Sequence, residues 1–341
     1  MKFGILLFLA SAIFVGCNFE APVNPDALAE PLTAENKEVG WEIEVPAGWE
    51  MLSEVETEVS NQRGHKAIEE SLDLEIDATA LIQLLDIKKN ETNVLAITAE
   101  PFFEEYIGEW EATNVYIQEI LIATYEDQGF TTEISSIETE EIDGLEFMTY
   151  SIKIFKAENE NPIHQTFFSS MNNGYDISAA LTYTNDLVKD EMLAIWRSSQ
   201  FKVREKSAKE KAHYAKMDSD FKMYITKGNE AFSQLKYGAA MFWYEKGVEL
   251  NPSYEYAIDQ LAKCESIADD ASASEYELLR AYQNVIDRAD ELFKAKNYLE
   301  AKTYYDRALG LDPAQQYPKD QTILITDTIL IMDYPEDWKP A

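Results

Sequence analysis

The sequence predicts an α+β domain built on an antiparallel sheet covered by helices, followed by an all-α domain of helical repeats. Three observations lead there. Between residues 38 and 203, short apolar runs are divided by turn residues, with helical patterns among and after them. Beyond residue 204, strong helix formers and alanine–tyrosine spacing take over. The charge shifts at the same place: residues 18–200 carry 38 Asp/Glu against 9 Lys/Arg, residues 201–341 only 25 against 19. A chain of 341 residues accommodates two domains at about 150 residues each.

The amino terminus comes first. After Lys2, "FGILLFLASAIFVG" is a run of apolar and small residues. It is shorter than the ~20 residues that span a bilayer, and it suits the apolar region of a signal peptide. The following "FVGC" resembles the lipobox of bacterial lipoproteins, with Gly16 before Cys17, although Phe14 stands where leucine is usual. The resemblance implies a signal at 1–16, cleavage before Cys17, and lipidation of Cys17. Two or three acyl chains anchor stably where one is marginal. An ordinary secretory signal with an incidental cysteine is the alternative. Residues 17–37, rich in Pro, Ala, Asn and Glu, read as a flexible tether. Asn18 in place of aspartate resembles lipoproteins sent to the outer membrane of the cell envelope.

In the domain at 38–203, "GWEIEVPAGWE" alternates like a strand and stops at Pro46 and Gly48. "NQRGHKAIEESL" suits a helix. "ALIQLLDIKKNETNVLAITAEPF" is two apolar runs around a polar turn at Asn90–Asn93, a hairpin. "NVYIQEILIATYEDQG" reads as a helix stopped by Gly129. Four strands follow, "FTTEISSIE", "LEFMTYSIKIF", "IHQTFFSSM" and "YDISAALTY", broken by "EIDG", "KAENENP" and "NNG". "DLVKDEMLAIWRSSQF" closes the domain as an amphipathic helix capped by Asn185 or Asp186. Short turns between strands imply antiparallel pairing.

The opening W-x-I-x-V-P-x-G-W from Trp41 to Trp49, the strand "DGLEFMTYSIKI" and the closing "LTYTND…IWRSSQF" make this region resemble the PsbP/Mog1-like fold. That family includes photosystem accessory subunits, a nuclear-transport regulator and envelope lipoproteins. The resemblance therefore implies a binding or accessory role and assigns no residue a function.

In the domain at 204–315, "REKSAKEKAHYAK" is a charged helix. "YITKGNEAFSQLKYGAAMFWYEKGVELNP" then resembles a tetratricopeptide repeat: Gly228 at the small position of the first helix, Tyr237 at the turn, Ala240 and Tyr244 on the second helix, Gly247 where alanine is usual, and Pro252 at the end. A second copy, "VIDRADELFKAKNYLEAKTYYDRALGLDP", places Ala289, Tyr298, Ala301, Tyr305, Ala308 and Pro313 likewise. Small residues let paired helices approach, aromatics fill the gaps, and proline stops the second helix. The two prolines lie 61 residues apart, short of two 34-residue units, so the middle unit is shortened or degenerate. Asn229 is the candidate polar contact of the groove. The lysine that would complete a carboxylate clamp falls at Ile225, so "KGN" reads as packing. The tail at 316–341 reads as a capping helix, with a strand as the alternative.

No chemistry stands out. His65, His164 and His213 are scattered, and no C-x-x-C, G-x-S-x-G, P-loop or G-x-G-x-x-G is present. No metal, cofactor or catalytic residue is therefore expected. Cys264 lies on a helical apolar stripe and reads as core. Trp41, Trp49, Trp110 and Trp196 read as core of the first domain. A formal charge of −34 argues against nucleic acid and anionic membrane surfaces as partners, because both require Lys/Arg. The expectation is a non-enzymatic, lipid-anchored envelope protein that binds a protein or peptide through its repeats. The alternative is small-ligand or divalent-cation binding by the acidic domain, with the repeats as a brace or dimerisation unit.

Overall fold

The computed structural model describes residues 28–72, 79–156 and 161–333. The signal segment and Cys17 lie outside the described residues. The chain divides into two compact units. The first holds the described residues up to Glu105 together with Glu109–Lys211, and the second holds Tyr106–Gly108 and the residues from Ala212 on.

The first unit begins with β1 (Leu32–Asn36), β2 (Trp41–Val45), β3 (Glu50–Met51) and α1 (Glu54–Leu72). Next come the hairpin β4 (Ile82–Asn90) and β5 (Asn93–Pro101), then α2 (Glu109–Asp127). The strands β6 (Thr131–Ile134), β7 (Glu138–Ile142), β8 (Leu145–Phe155), β9 (Ile163–Asn172) and β10 (Tyr175–Tyr183) follow, then α3 (Asp186–Arg197) and β11 (Gln200–Phe201). Every pairing is antiparallel. The large sheet runs β3-β4-β5-β10-β9-β8-β6, with β7 beside β8, and a small sheet runs β1-β2-β11.

Turn chemistry sets the register. Asp143 and Gly144 have φ of 49° and 78°, and Asn173 and Gly174 have φ of 56° and 85°. Two successive left-handed residues form the turn that suits a two-residue hairpin, and Ile142 duly pairs with Leu145 and Asn172 with Tyr175. Gly40 turns β1 into β2 at φ 76°, where a Cβ would sit 2.4 Å from both Asn173 Nδ2 and Lys202 O.

Alternation divides the large sheet into two unlike faces. One carries Leu85, Ile87, Leu95, Ile97, Phe168, Ile177 and Leu181, and packs on Trp41 and Ile43 of the small sheet and Met192 and Trp196 of α3. Ring contacts of Phe147 with Trp196 and Phe201 knit this core. The other face carries Tyr150, Ile152 and Ile154 against Ile117, Ile120, Leu121 and Tyr125 of α2 and Ile68 of α1. Toward β4, β5 and β10 that second face turns polar, with Asp86, Lys88, Thr98, Glu100, Asp176 and Thr182 all buried.

Several details differ from the sequence reading. The tether does not reach residue 37. Leu28 already exchanges backbone bonds with Trp49 and Gly48, and β1 pairs along its length with β2. An exposed edge strand carries little apolar signal, so its composition imitates a linker. Residues 130–138 do not form one strand. Ser135 Oγ accepts the Ser151 amide at 3.0 Å in place of a backbone carbonyl, which separates β6 from β7. The helix read from Asn61 starts seven residues earlier, because Ser53 and Glu56 cap each other's backbone amides. The first unit extends past residue 203 to Lys211: Arg204 grips Asn173 through its amide and guanidinium, and pairs with Glu210.

The second unit is helical: α4 (Ala208–Ser233), whose first turn still falls in the first unit, then α5 (Tyr237–Leu250), α6 (Glu255–Ile267), α7 (Asp270–Lys294), α8 (Tyr298–Leu311) and α9 (Tyr317–Asp333). The tail is thus a helix where the structure describes it. No helix among the described residues is long and apolar enough to cross a membrane.

Candidate functional site in the helical repeats

Helix ends recur 61 residues apart. Ser233 and Lys294 end the long helices, Tyr237 and Tyr298 begin the next, and Leu250 and Leu311 end those. The second unit is accordingly two three-helix modules, α4-α5-α6 and α7-α8-α9. The missing residues of the middle repeat are explained by α7. It is one continuous helix of 25 residues, with no loop between the half that packs on α5 and the half that packs on α8.

The turn after each long helix is the same. Leu235 and Lys296 both adopt φ of 61°, and the next amides, Lys236 and Asn297, return to the carbonyls of Ala231 and Leu292. Phe232 meets Tyr237 edge-on, as Phe293 meets Tyr298. Gly228, Ala240, Gly247, Ala289, Ala301 and Ala308 are buried between helices, and Tyr244 and Tyr305 fill the gaps they leave. Pro252 and Pro313 are exposed just past the ends of α5 and α8, where proline ends a helix without packing.

Each module also holds a polar hub joining its three helices. In the first, Asn229 Oδ1 accepts the hydroxyls of Tyr244 at 2.7 Å and Tyr256 at 2.6 Å. In the second, Asp290 Oδ1 accepts Tyr305 at 2.5 Å and Tyr317 at 2.9 Å. The tyrosine rings meet edge-on in both. Burial, reinforced by Asp290, pushes the Tyr317 hydroxyl up to about 12 and Tyr305 higher still. Both therefore remain donors throughout the physiological range. Asn229, the residue singled out from the sequence, thus has its carboxamide oxygen engaged within the module. Its counterpart Asp290 and the partners Tyr256 and Tyr317 escaped the sequence reading, although the 61-residue offset relates all three pairs.

The first module also carries two aromatic groupings. Phe221 meets Tyr254, Tyr254 meets Tyr256, and Tyr254 and Tyr256 are both exposed. Tyr224 stacks on Trp243, and the Lys227 ammonium sits 4.1 Å over the Trp243 ring. Aromatic residues are enriched in the buried centres of protein-binding surfaces.

The remaining candidates are placed as follows. Cys264 is fully buried with a free thiol, and burial raises its pKa. Trp41, Trp49 and Trp196 are core, and Trp110 is half-buried. His164 stacks on Tyr183. Among the described residues, no group of three or more His, Cys, Asp or Glu side chains is arranged to hold a metal ion.

Comparison with known proteins agrees with this geometry in the second unit. Residues 221–254 and 282–315 match the family model of the tetratricopeptide repeat, so each match spans the end of one long helix, the helix after it and the turn beyond. No curated protein matches the sequence significantly. Among solved structures, the chain is similar to the solution structure of cyanobacterial PsbP (CyanoP) from Synechocystis sp. PCC 6803. Identity is 14%, 54% of this chain and 99% of that chain are covered, and the TM-score is 0.37.

Proposed function

We propose that this chain is a non-enzymatic accessory or adaptor protein that binds a protein or peptide through its two helical modules. The match of residues 221–254 and 282–315 to the tetratricopeptide repeat carries the reading, since such repeats serve as protein-binding scaffolds. Exposed Tyr254 and Tyr256, and the Tyr224–Trp243 stack, supply the aromatic anchors. Residues 201–341 carry 25 Asp/Glu against 19 Lys/Arg, a mild acidic excess that favours a neutral or basic partner surface. The lipobox-like segment ending at Cys17 supports attachment to the bacterial envelope, at the outer membrane, by lipid.

Affinity capture of the full-length chain from solubilised membranes tests the binding. Partners should be lost when Trp243→Ala and Tyr254→Ala are combined in a chain that still melts cooperatively. Partners retained in full by that variant and by a chain truncated after Lys211 would place binding elsewhere. Intact-mass measurement of the natively expressed protein tests the anchor. A chain beginning at Cys17 with the added mass of acyl groups is expected, and an unmodified Cys17 refutes it.

A further inference from the structure

The first unit contains a cavity of about 650 Å³ between α1 and the polar face of β4. That volume falls in the ~300–1,000 Å³ range of small-molecule sites. Its lining is chemically divided. Leu52, Leu81 and Leu84 are among its aliphatic residues, and Glu54, Glu58 and Asp86 are its charged groups, with no Lys or Arg among the described lining residues.

Asp86 is the unusual member. It is 9% exposed, and its carboxylate accepts the Thr57 hydroxyl at 2.7 Å and Gln83 Nε2 at 2.8 Å. No cation pairs with it among the described residues. By contrast Lys88, next along the same face of β4, is already held by Glu56, Glu91 and Glu50. Burial pushes the Asp86 carboxyl up to about 7. Gln83 Oε1 and His65 Nε2, on two further lining residues, are buried without hydrogen-bond partners among the described residues. A buried carboxylate lacking its counter-ion costs free energy, and so does a buried acceptor lacking a donor. Both deficits are met by one kind of ligand. An ammonium group brings a positive charge and three donors, and an alkyl chain suits the leucines. An anion would meet three carboxylates, and the described lining residues include no Phe, Tyr or Trp that would form a platform for a sugar.

We infer that the cavity beneath α1 binds a small primary amine, its ammonium group held by Asp86 and Gln83 and its alkyl chain lying against Leu52, Leu81 and Leu84. This site is separate from the helical modules and does not depend on their function.

Calorimetric titration of the full chain with 1,5-diaminopentane tests it, with pentan-1-ol and pentanoate as matched probes lacking the cation. The diamine should bind and the two controls should not. Asp86→Asn should weaken the diamine by about tenfold or more, the effect of losing one charge-assisted hydrogen bond. Because that substitution removes a buried charge, the variant should melt no lower than the parent, which separates lost binding from lost folding. A second substitution, Leu84→Asn, should weaken longer diamines more than ethylenediamine. The inference is overturned if no diamine binds at ten-millimolar concentration, if pentan-1-ol binds equally well, or if Asp86→Asn binds the diamine as tightly as the parent.

Discussion

Asp86 shows how one side chain couples burial to pH. Its carboxyl is raised to about 7 from an ordinary 3.8 because burial disfavours the charge, with the Thr57 hydroxyl opposing the shift. Between these values the unfolded chain has released the proton while the folded chain retains it. Unfolding is therefore coupled to proton release, and stability falls as pH rises from about 4 to about 7, then levels. Lys88, Glu56 and His65 border the same face, but Lys88 is saturated by its three glutamates. Asp86→Asn is accordingly expected to stabilise the first unit by on the order of 2–4 kcal/mol at pH 8 and by little at pH 4, read from denaturant unfolding at the two pH values. Leu235 offers a second case. It is 70% exposed and left-handed, a conformation costing a side-chain-bearing residue about 1–2 kcal/mol. Leu235→Gly should raise the unfolding free energy of the second unit by about 0.5–1 kcal/mol, net of the extra chain entropy of glycine.

The tyrosine hubs and the helix crossings set the stability of each module. Tyr305 donates to a carboxylate and Tyr244 to an amide. Hydrogen bonds to charged groups contribute about 1.5–3 kcal/mol and neutral ones about 0.5–1.5, so Tyr305→Phe should cost more than Tyr244→Phe in matched thermal melts. Where α5 crosses α7, a Cβ at Gly238 would lie 2.1 Å from the backbone oxygen of Ser272, and backbone cannot yield as a side chain can. Gly238→Ala should therefore destabilise this crossing by about 1–3 kcal/mol. Cys264, fully buried in the same cluster, reports it: its labelling by a thiol reagent should accelerate in Gly238→Ala. The counterpart of Gly238 in the second module is Leu299, 72% exposed, so the same position tolerates a large residue where no helix among the described residues crosses it. The sequence reading noted Gly228 and Gly247 from the repeat pattern but passed over Gly238, because the helix it meets belongs to the following module.

At the scale of the whole molecule, the two units have separate cores, one built around Trp41, Trp196 and the large sheet, the other around Tyr244 and Tyr305. Trp196→Ala removes a fully buried ring and should lower the stability of the first unit by about 3–5 kcal/mol. Cys264 labelling should respond far less than tryptophan fluorescence to that substitution. Coupled responses of equal size would show that the units unfold together.

Much of this organisation was legible in the one-dimensional pattern. Alternating apolar runs divided by Asp143-Gly144 and Asn173-Gly174 announce hairpins, since those pairs readily take the left-handed conformation a tight hairpin needs. The spacing of Gly228, Ala240, Tyr244 and Pro252 announces paired helices for a similar reason: packing at a helix crossing constrains residue size position by position. Both are local rules, so the sequence alone determined the element types, the antiparallel pairing and the helical repeats. What required the tertiary structure were the features made by residues distant in the chain. Only packing decided that β1 joins a sheet, that α7 serves two repeats without a break, and that Tyr256 and Tyr317 close the hubs at Asn229 and Asp290. Only packing, too, buried Asp86 beneath α1 without a counter-ion, because desolvation depends on what the fold lays over a residue and leaves no mark on its neighbours in sequence.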